Sequence, residues 1–280
     1  MDAKETSDEL FRLLGEAVGE CPESAKRAKD GVSPAFPGIT PVVRQIPGLG
    51  FFPGGDGLWK DIGHSEPADR NPKSVMVVGN TFGCMKYFDD LVKKRPLAEE
   101  NCRTGTWRQL LSILEEYKSR CFFTNAYPGL LNGDENIDND LRPADFDSVF
   151  LSQCREFFFK QVELTMPKVI LFLGKFSPFV LGGDRFRELG WLPFVNCKRG
   201  CIRKFKPIDE EHKSFIVGSR WTGVSNDVGI AILLHPCNRH RNFDKRGLEY
   251  PGRDKEIPFL QHIMRITHPD GYSVDASRLG

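Results

Sequence analysis

Residues 231–241 read AILLHPCNRHR, an apolar run that stops at a histidine and a proline and continues into a basic loop. An uninterrupted apolar run is typical of a strand that is buried on both faces of a parallel sheet. The histidine then lies at the end of the strand, and the cations that follow it suit phosphate groups. The stretch therefore predicts a sheet edge at which His235 is the central functional group.

Three more apolar runs repeat this pattern, at 73–79, 120–125 and 168–174, and the fourth strand is placed at 229–234. Apolar residues at helical spacing predict the helices, and one further helix is expected to end near Leu189. These helices are placed at about 7–19, 85–94, 106–118, 143–166 and 257–266. The sequence thus predicts an α/β protein with three layers, α/β/α, around a mainly parallel four-stranded sheet. Right-handed crossovers bring the loops after these strands to one edge, where such folds bind ligands.

Residues 1–72 differ in character from the rest of the chain. After the first helix, residues 31–71 contain proline and glycine too densely for regular structure. Three aromatic residues of this stretch, Phe51, Phe52 and Trp59, predict an ordered wrap over the core. We therefore divide the chain into an N-terminal helix with a Gly/Pro-rich extension, 1–72, and an α/β domain, 73–280.

A second unusual segment is the basic stretch 198–206, which precedes a β-like run at 214–217. Charge runs of this kind are usually solvated faces. Because apolar residues alternate with the cations here, an edge hairpin is the other interpretation.

The net charge is only +1, from 39 Lys and Arg against 38 Asp and Glu, so any nucleic-acid binding requires a local basic patch. No apolar segment approaches about 18 residues, and the N-terminus lacks the apolar core of a signal peptide. These features predict no membrane contact and an intracellular location, cytoplasmic with the bacterial nucleoid, or nuclear in a eukaryote. The eight cysteines contain no CxxC pair, which argues against a structural zinc site or a disulfide framework.

The loop after the first predicted strand reads GNTFG, at 79–83. Its small residues allow the backbone to approach a ligand closely. The loop matches neither the G-x-G-x-x-G pattern of dinucleotide-binding folds nor the Walker A pattern of nucleotide triphosphatases. Dinucleotide and ATP binding are therefore disfavoured.

Four motifs in this order resemble the uracil-DNA glycosylase superfamily: GNTFG at 79–83, Thr-Asn at 124–125, the strand 168–174, and His-Pro-Cys at 235–237. The resemblance covers about residues 73–242. It implies a DNA glycosylase that flips uracil or a related deaminated base out of DNA and hydrolyses its N-glycosidic bond. It further implies a monomer that works in base excision repair.

By this resemblance, the catalytic residues are His235, Asn80 and Thr81. Breaking the bond between base and sugar leaves negative charge on the base, and a hydrogen-bond donor at the base O2, here His235, stabilises it. Asn80 and Thr81 stand where the family positions the attacking water, and Phe82 stands at its proline. This motif has no carboxylate, so a strong general base is missing from it. From the residues alone, His235 can also be a structural hydrogen bonder, and Asn80 and Thr81 can cap a helix.

The resemblance also implies a set of base-binding residues. Asn125 would read the base, because an amide can donate to one edge atom of uracil while it accepts from N3, which the amino group of cytosine would not allow. Phe88, preferred over Tyr87, would stack on the base, and Gly79 and Phe82 would lie beside it. As alternatives, Asn125 can cap the loop that follows it, and the aromatic residues can belong to the core.

The loop after His235 would contact DNA in the minor groove. Asn238, Arg239, His240 and Arg241 are expected to bind phosphates and to fill the gap left by the flipped base. The alternative for Arg239 and Arg241 is that they are solvated cations.

One branch of the family holds an iron-sulfur cluster on four cysteines, two of them closely paired before the first motif. Only Cys21 precedes that motif here, so we expect no cluster, no metal and no cofactor. No lysine lies in 79–83, 124–125 or 235–241, so a lyase step through a Schiff base is not expected. The alternatives are a catalytically weak nucleobase-binding or DNA-binding protein of the same fold, and a glycosidase of free nucleosides or nucleotides.

Overall fold

The computed structural model describes residues 3–19, 39–41, 51–52, 57, 74–81, 105–131, 148–219 and 227–268. The strands of these ranges are β1 (Ile39–Pro41), β2 (Val75–Gly79), β3 (Cys121–Asn125), β4 (Gly129–Leu131), β5 (Val169–Leu173), β6 (Val195–Asn196), β7 (Cys201–Ile202), β8 (Phe215–Ser219) and β9 (Val228–Leu233). The α-helices are α1 (Ala3–Gly19), α2 (Gly105–Leu114), α3 (Ser148–Thr165), α4 (Gly183–Glu188), α5 (Phe205–Glu210), α6 (Arg239–Asn242) and α7 (Glu256–Thr267). None of the described helices is long and apolar enough to cross a lipid bilayer.

The central sheet has the order β3-β2-β5-β9-β8. Its first four strands are parallel and are the four apolar runs of the sequence, which confirms the mainly parallel α/β fold. The predicted strand number is wrong, because β8 pairs antiparallel with β9 as a fifth strand. This strand carries a weaker signal because it lies at the sheet edge, where Val217 is 59% exposed. The helix predicted at 85–94 lies outside the described residues.

Helices cover both faces of the sheet, as three layers require. Along β5, Ile170 and Phe172 face one hydrophobic cluster, to which α1 and α3 contribute. Val169 and Leu171 face the other cluster, which includes residues of α2 and α7. Alternate side chains of one buried strand thus stabilise two separate cores.

Described parts of the extension 1–72 pack in the same core as the sheet. The rings of Phe11, in α1, and Phe52 have centroids 4.8 Å apart. The Phe52 N–H donates to the Phe123 carbonyl at 2.9 Å, so this segment lies along the outer edge of β3. For Phe51 and Phe52 the predicted wrap over the core is confirmed, whereas Trp59 lies outside the described residues. The boundary at residue 72 is therefore a change in sequence composition. Described residues on both sides of it belong to one hydrophobic core.

A buried histidine follows α7 at the amino-terminal edge of the sheet. Burial first, and then the charges of Lys168 and Arg120, lower the pKa of His268 from 6.5 to about 4. The Thr267 hydroxyl donates to the Ile263 carbonyl at 3.0 Å, so at 2.8 Å it accepts from His268 Nδ1–H. His268 is therefore neutral in the folded protein at pH 7.

We expect His268 to make the protein sensitive to acid. Because its folded pKa lies below its unfolded value, the unfolded state takes up the proton first as the pH falls from 6.5 to about 4. Over that window the free energy of unfolding should fall by about 3 kcal/mol more in the wild type than in His268→Gln. Urea unfolding at several pH values measures this difference. Equal pH dependence in the two proteins would contradict it, and His262→Gln, at an exposed position of α7, is the control.

Candidate functional site

The order of the strands creates a crevice at the carboxyl edge of the sheet. From β2 the chain continues to β3 on one side, and from β5 it continues to β9 on the other. Loops that leave two adjacent parallel strands in opposite directions open a crevice between the strand ends, where α/β proteins bind ligands. The residues at and just after the ends of β2, β3, β5 and β9 are therefore the first candidates for a site.

Asn125, the last residue of β3, lies against the end of β2. It is in register with Gly79, and a Cβ added to Gly79 would collide with the Asn125 side-chain oxygen. Only glycine therefore allows the Asn125 amide to lie over the end of β2. The Ala126 N–H donates to the Gly79 carbonyl at 2.9 Å, and the Tyr127 N–H donates to the Asn80 carbonyl at 3.0 Å. These bonds fix the two loops to each other.

His235 lies against the end of β5 in a similar way. Gly174 has a φ of +81°, and a Cβ there would lie 3.1 Å from the His235 Cβ. The Gly174 N–H donates to the Leu233 carbonyl at 2.7 Å, which holds the two strand ends together. Gly174 thus provides both the left-handed turn and the space that the histidine occupies.

The two side chains approach the crevice from opposite sides. Neighbouring strands lie about 4.8 Å apart, so the axes of β3 and β9, three spacings apart, are separated by about 14 Å. Asn125 lies over the end of β2, and His235 lies against the turn after β5. Both side chains therefore border the crevice between the ends of β2 and β5.

The electrostatics of His235 suit a neutral donor. Its side chain is half-buried, and burial lowers its pKa below the usual 6.5, so the imidazole is uncharged at pH 7. Neither ring nitrogen hydrogen-bonds to another described residue. A neutral imidazole keeps one N–H, which is then available to a ligand.

The loop after β2 presents a second polar group. Asn80 and Thr81 are half-buried, and the Asn80 Oδ1 atom is buried without a hydrogen-bond partner among the described residues. A buried acceptor without a partner costs about 1 to 3 kcal/mol. Such an atom in a native structure calls for a ligand or a water molecule.

The predicted DNA-binding loop divides into two parts. Arg239 is 5% exposed and forms ion pairs with Asp254 and Glu256, so its role as a phosphate ligand is corrected to a structural one. His240 and Arg241 are exposed and remain available to DNA. Asn238 ends the 3-10 turn Pro236–Asn238, and its side chain lies outside the described part of the structure.

A buried carboxylate that the sequence analysis missed holds the His235 loop. Glu256 is 0% exposed, and its Oε1 accepts the backbone N–H of Leu234 at 2.7 Å. Its Oε2 accepts from Nε of Arg239 at 3.2 Å. One carboxylate in the first turn of α7 therefore binds the residue before His235 and the fourth residue after it.

The same carboxylate belongs to a larger ionic network. Arg246 donates to Glu256 Oε1 at 2.8 Å, to Asp209 Oδ1 at 2.8 Å and to the Ile232 carbonyl at 2.9 Å. Arg246 thereby joins the end of β9 to α5 and α7. The network binds the backbone at Ile232 and Leu234, just before His235. No local pattern in the sequence indicates that its residues come together.

The structure places the aromatic ring of Phe51 beside Asn125. Phe51 and Trp107 are half-buried, with ring centroids 5.0 Å apart. The Phe51 ring would lie 3.4 Å from a Cβ at Gly79, so it borders the Asn125 amide. Phe82 and Phe88 lie outside the described residues. In the sequence, the feature that indicates Phe51 is the aromatic pair Phe51-Phe52 in the Gly/Pro-rich stretch, which predicts packing on the core.

No known protein family and no curated protein could be matched to this chain. The resemblance to uracil-DNA glycosylases therefore rests on the sequence motifs alone and stays a prediction. Within the described ranges, no three His, Cys, Asp or Glu side chains come together as a metal site would require.

Proposed function

We propose that the protein is a monofunctional DNA glycosylase that hydrolyses the N-glycosidic bond of uracil or a related deaminated base. The observation that carries the proposal is the placement of Asn125 and His235 against two glycines at adjacent strand ends. An amide that can read a pyrimidine edge and a neutral donor that can contact the opposite side of the base then border one crevice.

Binding would begin with extrusion of the damaged nucleotide from the duplex, at a cost of a few kcal/mol. Asn125 would donate to O4 of uracil and accept from N3–H, and the nearby Phe51 would cover one side of the ring. Exposed cations at the carboxyl edge, Arg241 among them, would offset the cost through phosphate contacts. A base with the opposite hydrogen-bond pattern would leave the buried amide unsatisfied and be rejected.

Cleavage would then depend mainly on the leaving base. As the glycosidic bond breaks, negative charge develops on the pyrimidine and positive charge on the sugar. The His235 N–H would donate to O2, where this charge develops, so it binds the transition state more strongly than the ground state. Because burial lowers the pKa of His235, the imidazole is neutral at pH 7 and donates through its single N–H.

Water would attack the sugar with little help from a general base of the protein. An oxocarbenium-like sugar is electrophilic enough to react with a water that is only oriented. The added water then loses a proton to solvent, and the departing pyrimidine anion takes up a proton from solvent. Asn80 Oδ1, which has no partner among the described residues, can accept a hydrogen bond from that water. An amide is a poor general base, so stabilisation of the leaving group would provide most of the rate.

The direct test uses labelled oligonucleotides that carry uracil, hypoxanthine, xanthine or a T mismatch, single-stranded and double-stranded. After incubation with the protein, alkali cleaves any abasic site. The proposal requires strand breaks after alkali and none before it, since no lyase step is expected. DNA binding without any product would instead favour a nucleobase-binding or DNA-binding protein, the alternative that the missing carboxylate at 80–81 motivates. Cleavage of free nucleosides alone would favour the nucleoside glycosidase.

Replacement of Asn125 by aspartate should change the base preference. A carboxyl group can accept from the cytosine amino group and, when protonated, donate to N3; burial favours the protonated form. We expect Asn125→Asp to release cytosine, and the ratio of uracil to cytosine excision to fall at least about tenfold, which corresponds to about 1.4 kcal/mol. The ratio is measured within one variant, so a loss of folded protein cancels. Asn125→Ala should lose uracil excision without gaining cytosine release, and an unchanged ratio in the aspartate variant would contradict the role of Asn125.

A further inference from the structure

The basic stretch that the sequence analysis left open forms a fixed hairpin beside the candidate site. It consists of β6 and β7, which pair antiparallel, with Val195 opposite Ile202. The Arg203 N–H donates to the Phe194 carbonyl at 2.8 Å, and Val195 and Ile202 are buried. The two strands of the hairpin are therefore anchored to the core, and its turn is exposed.

The hairpin is also attached to the loop that supports His235. The Ile202 N–H donates to the Lys175 carbonyl at 2.8 Å. Lys175 directly follows Gly174, the glycine against which His235 lies. The hairpin thus borders the carboxyl edge of the sheet at the β5 and β9 side of the crevice.

The charged side chains of this region are all cations. Residues 189–208 contain five lysines and arginines and no aspartate or glutamate. We call five exposed cations the basic hairpin surface: Lys175, Lys198, Arg199, Arg203 and Lys204. Among the described residues, none of the five forms an ion pair. The whole chain is nearly neutral, so this concentration of one charge is a local feature that favours a polyanion.

We propose that the basic hairpin surface binds the phosphates of the DNA strand that flanks the base in the candidate site, an inference that rests on the proposed function. Arg199 lies in the turn of the hairpin and Arg203 follows β7, and four residues of chain span at most about 13 Å. Over that axial length one DNA strand carries about four phosphates. The surface belongs to a different segment of the chain from the loop after His235, so it would add a second set of backbone contacts.

The test compares two double variants that remove equal charge. R199Q/R203Q removes two cations of the hairpin, and K168Q/R265Q removes two exposed cations from the opposite edge of the sheet. Binding to an undamaged duplex is followed by fluorescence anisotropy at salt concentrations from about 50 to about 200 mM. For R199Q/R203Q we expect affinity to fall on the order of 10-fold to 100-fold. The slope of log K against log salt should fall by about 0.9 for each phosphate that the variant no longer neutralises. K168Q/R265Q should retain the wild-type slope.

An unchanged slope in R199Q/R203Q would overturn the proposal, as would equal losses of affinity in both double variants. Tighter binding of duplex RNA than of DNA would also overturn the assignment of the partner. The excision assay separates these outcomes from the proposed function. A wild-type protein that binds DNA through the hairpin but excises no base supports this surface and overturns the glycosylase. If the wild type excises the base and R199Q/R203Q binds DNA as tightly as the wild type, the glycosylase is supported and the role of the hairpin is overturned.

Discussion

His235→Ala should lower the single-turnover rate of base excision by about 100-fold to about 1,000-fold, the effect of removing one donor that faces a developing anion. The loss should appear in the rate of the chemical step and leave DNA affinity nearly unchanged, because the hydrogen bond from His235 to O2 would strengthen as charge develops on the base. The wild-type rate should show no inflection near pH 6.5, since burial lowers the pKa of this histidine below that value. Quenched-flow excision at saturating enzyme, repeated across pH, measures both features.

The control for this variant is His262→Ala, which removes an exposed imidazole from α7 and should keep the wild-type rate. Thermal unfolding of both variants shows whether the fold is retained. Undiminished excision by His235→Ala would mean that another group stabilises the leaving base. A loss confined to DNA affinity would assign His235 to binding instead of catalysis.

Glu256→Gln should destabilise the protein by about 1 to about 3 kcal/mol, since it removes one of the two carboxylates that pair with each of two buried guanidinium groups. Arg246 is 3% exposed and Arg239 is 5% exposed, so neither can recover its solvation in water. The change should also loosen the backbone at Leu234, whose N–H Glu256 accepts. Urea unfolding measures the loss, and amide hydrogen exchange at Leu234 reports the local effect.

Glu249→Gln is the matched control, because it makes the same chemical change at an exposed position seven residues earlier. Its unfolding free energy should stay within about 0.5 kcal/mol of the wild type. A double variant with Arg246→Gln should lose less stability than the sum of the single changes, since the two groups share one network. Additive losses, or a small loss in Glu256→Gln alone, would contradict the role of the carboxylate.

Much of the fold could be predicted because its four parallel strands are continuous apolar runs. A continuous apolar run between two predicted helices is typical of a strand that is buried on both faces of a sheet. The strand β8 is harder to predict because it is an edge strand, half-buried, and its partner β9 determines its pairing. In the Gly/Pro-rich extension, Phe52 bonds to Phe123 on β3 and β1 pairs with β4. The aromatic residues indicated packing on the core, but no local pattern indicates these partners, which are distant in sequence.

The candidate site could likewise be predicted only in part. Asn125 and His235 could be predicted because strand ends of a parallel sheet meet at one edge, so position in the sequence determines position in space. The burial of Arg239 could not, since a basic loop carries the same signal whether its cations face water or a carboxylate. That choice depends on Asp254 and Glu256, which approach the loop only in the folded chain.

A crystal structure of the protein with free uracil tests most directly whether Asn125 and His235 bind one base. We predict a uracil ring between the ends of β2 and β5, with the Asn125 amide at N3 and O4 and a His235 ring nitrogen at O2, each at about 3 Å. Uracil that contacts only one of the two side chains, or that binds away from Gly79 and Gly174, would contradict the proposed site.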